Sequence, residues 1–193
     1  TTTEQFADGI QNVSNSFGLD VLDVAEATYQ AISNQVVKGA ESFKFMAEAA
    51  QFARVTNSSL TDSVNLLSSV LNSYSLTAAD TQRVAAKLFK TIELGRVRSS
   101  EMANTIGRIT VLSGQLGISL DELNSIIALT TVRGLKFTRA QTQIVGVMNA
   151  LISPTKEMTA FLEDLGVSTG KQAIEAYGLS EIFKLIAQRT QGS

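Results

Sequence analysis

The amino-acid sequence predicts an all-α fold, a compact array of about nine short helices joined by short turns marked by Gly and Ser/Thr. Three observations carry that prediction. Apolar residues recur at i, i+3, i+4 and i+7 almost throughout, as at Val84, Leu88, Phe89 and Ile92, or Leu120, Leu123, Ile126, Ile127 and Leu129. That spacing gives each helix one buried face. Proline occurs once, at Pro154, so most of the chain lacks the residue that breaks helix interiors. Strand-like alternation is nowhere sustained.

The elements follow from their end signals. Ser or Thr followed three residues later by an acid or amide marks a helix start, because the hydroxyl accepts from a free first-turn N–H. This pattern occurs as Ser59 with Asp62, Thr77 with Asp80, Ser119 with Glu122 and Thr138 with Gln141. Ser153 before Pro154 predicts another start, with proline at the first helical position. Glycine followed by an aliphatic residue marks the stops: Gly18-Leu19, Gly117-Ile118, Gly134-Leu135, Gly166-Val167 and Gly178-Leu179, with Gly95 before Arg96 a weaker version. Glycine takes the left-handed conformation there, and the next side chain folds back on the last turn. These signals place helices at 3–16, 20–35, 39–55, 59–74, 78–94, 100–116, 120–133, 139–152 and 154–165, with a weaker helical tail at 171–190. Connections this short make neighbours pack as hairpins or corners. The Gly-aliphatic pattern returns near every 20 residues, but its flanks do not match, so it is punctuation and not a solenoid repeat.

Composition bounds the chemistry. The 193 residues suffice for one domain with a sizeable core, and the start at Thr1 suggests a segment of something longer. Neither His nor Cys is present. That excludes disulfides, thiol nucleophiles, Ser-His or Cys-His pairs and zinc sites of the usual N/S type. Charged residues are only 18%, so much of the surface is Ser, Thr, Asn and Gln. Residues 1–80 carry nine acidic and three basic side chains, and residues 81–193 nine acidic and thirteen basic, or -6 against +4. Such polarity favours head-to-tail stacking of copies or, more simply, two solvated faces. No signal peptide or 20-residue apolar span is evident.

From about residue 19 to 167 the chain resembles the core region of phage tail tape measure proteins. The segments that carry the resemblance are GLDVLDVAEATYQAISNQV at 18–36, TDSVNLLSSVLNSYSL at 61–76, VAAKLFKTIELGRVRSSEMANTIGRI at 84–109, GQLGISLDELNSIIALTTVRGLKFTRA at 114–140 and MNALISPTKEMTAFLEDLGV at 148–167. Their order and spacing are specific together. The matching positions are Asn72 and Tyr74, Gly95, Gly117, Leu120, Gly134, Pro154 and Gly166, all fold-defining and none catalytic or ligand-binding. Arg96 and Arg98 depart from the pattern, and residues 1–17 and 168–193 lie outside it. The expected organisation is therefore an N-terminal helix or linker at 1–17, a helical core domain at 18–167 and a C-terminal helical extension at 168–193.

The resemblance implies a structural, non-enzymatic role without cofactor, in the lumen of the tail tube or at its tip of a virion made in the host bacterial cytoplasm. There it would govern tail length and assembly and leave during DNA ejection. The implied partners are the tail tube protein, tail tip or baseplate hub proteins, tail assembly chaperones and further copies of the chain, as a trimer or hexamer by tail symmetry.

Competing readings are weaker. A peptidoglycan-cleaving site needs a carboxylic acid of raised pKa in a cleft, whereas Glu101 and Glu122 sit in first helical turns and read as caps. Ser42 and Lys44 stand too close, on one helix, for Ser-Lys catalysis. Arg83, Lys87 and Lys90 share a helix face and, with Arg96, Arg98 and Arg108, could meet nucleic acid, but aromatic interleaving is absent and a solvated face is favoured. The uncharged run at 141–152, with Ile144, Val145, Val147, Met148, Leu151 and Ile152, could insert into a host membrane if the bundle opened, though such helices are usually buried. The alternative from another class, a bacterial helical-bundle adaptor with no phage role, would be supported by sustained heptads, which are missing.

Overall fold

The computed structural model describes residues 3–39, 41–132 and 134–191; the expected helical positions at 40 and 133 and the chain ends lie outside these. Among the described residues there are twelve α-helices and no strand, which is the all-α class with more pieces than about nine. The chain divides into two compact units, Thr1–Gly107 and Arg108–Ser193.

Unit 1 contains α1 (Thr3–Phe17), α2 (Val21–Ser33), α3 (Glu41–Thr56), α4 (Leu60–Ser73), α5 (Thr81–Gly95) and α6 (Ser99–Ala103). Helix α4 packs against α2, α3, α5 and α6. Its Leu60, Val64, Leu66, Leu67, Val70 and Leu71 are buried around most of its circumference, as expected for a central helix. Helix α1 lies on α3 through Phe6 and Phe43, whose ring centroids are 5.3 Å apart.

Unit 2 holds the greater part of α7 (Ile106–Leu116), then α8 (Leu120–Val132), α9 (Phe137–Ile152), α10 (Lys156–Asp164), α11 (Gly170–Tyr177) and α12 (Leu179–Gln191). Helix α8 packs on α9 and α12, and α11 on α9 and α12. Gly170 begins α11 against α9: a Cβ there would stand 2.7 Å from Leu151 Cβ and 2.8 Å from its carbonyl carbon.

Several ends differ from the sequence expectation, each for a local reason. The helix expected at 100–116 is broken after α6, where Asn104 Nδ2 donates to Ser100 O at 3.0 Å and Thr105 Oγ1 to Glu101 O at 3.0 Å. Such side chains compete with the helical backbone ladder. The weak tail at 171–190 is two helices hinged at Gly178. Pro154 is not the first helical residue: Thr155 caps α10, its Oγ1 accepting from Met158 N–H at 3.3 Å, and proline stands one place earlier. Thr138 does not cap either, because α9 begins at Phe137 with Lys136 ahead of it. Residues 78–80 form a single 3₁₀ turn before α5. Gly95 remains helical and buried, and Arg96 takes the left-handed conformation at φ 53°.

The remaining joints share a positive φ, although Gly178, at ψ 159°, is extended and not left-handed helical. Gly18, Gly117, Gly134, Gly166 and Gly178 have positive φ, and the N–H of Leu19, Ile118 and Val167 returns to a carbonyl of the helix just ended. In unit 1 the same role falls to Ser75 and Arg96, with Leu76 N–H to Leu71 O at 2.8 Å and Val97 N–H to Ile92 O at 3.2 Å.

Two predictions follow from these joints and contacts. Gly170→Ala lowers the melting temperature, by a destabilisation of about 1–3 kcal/mol, because backbone must move, whereas Gly146→Ala in exposed mid-α9 space raises it, by a stabilisation of about 0.5–1 kcal/mol. Arg96→Gly stabilises the protein by about 1 kcal/mol in denaturant titration, since glycine removes the left-handed penalty.

Candidate functional surfaces

The positions marked by the resemblance are dispersed joints. Asn72 Nδ2 donates to Asn34 O at 2.8 Å and ties the end of α4 to the end of α2. Tyr74 is the C-cap of α4. Gly117 closes α7 and Leu120 is buried at the start of α8. Gly134 and Gly166 close α8 and α10, and Pro154 is exposed in the turn between α9 and α10.

The chemical candidates resolve into structural roles. Ser119 Oγ accepts from Glu122 N–H at 3.2 Å, as its cap spacing predicts. The Glu122 carboxylate, however, accepts from the N–H of Leu179, the first residue of α12, 57 positions away. A negative group at a helix N-terminus satisfies a free donor and meets the positive end of the dipole. Glu101 is exposed in the first turn of α6. Arg83 pairs with Asp80 at 2.6 Å and Lys90 with Glu93 at 3.4 Å, so both cations lie beside an anion of the same chain segment. The Arg83 guanidinium, then the Thr77 N–H, holds the Asp80 carboxyl below its usual value. Along α9, Ile144, Val145, Met148 and Leu151 are buried, whereas Val147 is half-buried and Ile152 exposed.

Two Ser-x-x-Lys spacings escape a reading that looks for an elbow, Ser153 with Lys156 and Ser168 with Lys171; all four residues are exposed. A cleft of about 590 Å³ in unit 2 is lined by Met158, Phe161, Ile186 and Arg189. Arg189 lies over the Phe161 ring, 5.7 Å from its centroid, and pairs with Asp164 at 2.5 Å. Among the described residues no group of three or more acidic side chains could hold a metal, and no helix is long and apolar enough to cross a membrane.

Glu48 on α3 is the carboxylate that sequence reasoning missed. Burial raises its pKa above the ordinary 4.5, an effect that the Lys44 charge and the Thr81 hydroxyl partly oppose. One carboxylate oxygen is buried without a hydrogen-bond partner. Its half-burial is visible only once α5 is in place.

Among the described residues the candidate polar groups serve the joints of an all-α array of short helices. A family model described as phage-related minor tail protein matches residues 7–193, and the chain belongs to that family. The match takes in most of both ends that lie outside the motif resemblance. The chain is also 26% identical over 116 residues to the tape measure protein of Pneumococcus phage Dp-1, an alignment covering 60% of this chain and 10% of that protein. No solved structure matches it. The chain is thus a phage tail protein related to tape measure proteins.

The Glu48 environment predicts a pH dependence. The folded state holds this proton more tightly than the unfolded chain does, so the stability it contributes is complete below pH 4.5 and declines as pH rises through the raised value. Glu48→Gln removes that slope: the variant melts higher than wild type at neutral pH, and the two curves converge below pH 4.5.

Proposed function

We propose that this chain is a folded module of a tape-measure-type protein that sits in the tail tube or at its tip, helps set tail length and assembly, and leaves during DNA ejection. The similarity to a tape measure protein over 116 residues supports this reading most directly. The proposed partners are the tail tube protein, tip or baseplate hub proteins, assembly chaperones and other copies of the chain.

The helices qualify how a module of this kind would measure. A ruler of continuous helix rises about 1.5 Å per residue. Here the longest helices among the described residues have 16 residues, and each ends in a turn that redirects the chain. The segment therefore acts in its compact form as a docking or assembly module, and contributes to length as a strung-out array only when the units open inside the tube. Opening unit 2 would also free the apolar face of α9 for transient contact with a host membrane.

The test is an in-frame deletion of residues 108–193 in the parent phage, with tail length measured by electron microscopy. A strung-out unit of this size accounts for a shortening of about 130 Å. A unit that stays folded accounts for about 30 Å, near its own diameter. Tails of unchanged length overturn the length-setting role.

A further inference from the structure

Helix α2 is apolar on two sides. Val24, Ala27 and Ala31 are buried in unit 1, while Leu22 is 77% exposed, Tyr29 68% and Ile32 39%. Positions 22, 25, 29 and 32 step along one helical face. Asp20, Asp23 and Glu26 are exposed on the same helix and its cap, and α2 carries no basic residue. Scattered exposed apolar residues are ordinary, but an aligned stripe with a charged border marks an interaction surface.

Unit 2 carries a surface of the opposite charge. Leu129 is 45% exposed and Val132 52%, one turn apart at the end of α8. The chain then turns at Gly134 and presents Lys136 and Arg139, both exposed, at the start of α9. Each copy thus bears an acid-bordered apolar stripe and a base-bordered apolar turn.

We propose that copies of this chain associate head to tail, the outer face of α2 of one copy seated on the α8–α9 turn of the next. The apolar side chains supply the burial, and Asp23 and Glu26 opposite Lys136 and Arg139 set partner choice and register. Because the two surfaces differ, the contact is heterologous and either closes into a ring or continues as a chain. One helix face on one turn is smaller than the ~1,600 Å² standard interface, so association depends on concentration and weakens with salt. This deepens the self-association in the proposed function and names its surfaces.

Sedimentation velocity on the full chain, over a range of concentration and salt, tests it. Wild type is expected to gain mass with concentration at low salt and to lose it at high salt. Asp23→Lys with Glu26→Lys, or Lys136→Glu with Arg139→Glu, should each weaken association at least about tenfold, with melting curves verifying the fold. An equimolar mixture of the two variants should restore assembly as alternating copies, because each reversed surface meets its reversed complement and each unreversed surface its unreversed one, and all four substitutions in one chain should also restore assembly. Loss with the α2 variant but not the turn variant means that α2 meets α2, and overturns the pairing. A wild type that stays monomeric at every concentration also overturns it and assigns the stripe to another tail component. Neither result bears on tail length after deletion, which tests the tail role separately.

Discussion

The architecture rests on how its helices stop. At each joint where a left-handed residue closes a helix, the following N–H commonly returns to a carbonyl of the last turn, and the chain emerges in a new direction. Among the described residues no helix then exceeds 16 residues, a length at which an isolated helix is marginal in water. Each must bury a face against neighbours to persist, and the low aromatic content leaves Leu, Ile, Val, Ala and Met to do so. In unit 1 this requirement converges on α4, surrounded by four other helices.

Legibility in the sequence tracked which residue occupies each joint. Gly117, Gly134, Gly166 and Gly178 announce the stops of unit 2, because glycine is the ordinary residue at positive φ. In unit 1, Gln35, Ser75 and Arg96 hold the same positive φ without advertising it, and only Asn57 has a side chain that favours it locally. The break at Asn104 and Thr105 was equally hidden, since both residues also occur inside helices. Caps read from Ser59 and Ser119 form as expected, but the reach of Glu122 to Leu179 joins residues too distant in sequence for spacing to reveal. The close approach of Gly170 to Leu151 has no local signature either.

Function was legible as a class and not as a site. A chain without His or Cys narrows the chemistry before any fold is considered, and the ordered motifs pointed to tail proteins, where the family match also lies. The marked positions do not converge because they are joints, each required by its own turn. The outer face of α2 escaped notice for a different reason. Its Leu, Tyr and Ile have the spacing of a core stripe, and only the placement of α3 and α4 shows which of the two apolar sides of α2 is already used.

The buried hydroxyls carry a mechanical consequence. Thr28, Thr91, Ser113 and Thr131 bond to carbonyls within their own helices, four residues back, so these polar groups remain satisfied when neighbouring helices part. Separation at such surfaces exposes apolar area and breaks no hydrogen bond of theirs. Non-directional contacts of this kind yield to traction by peeling, one helix at a time, with each helix leaving intact. A chain assembled in this way resists pulling with many small, successive steps in place of one large rupture.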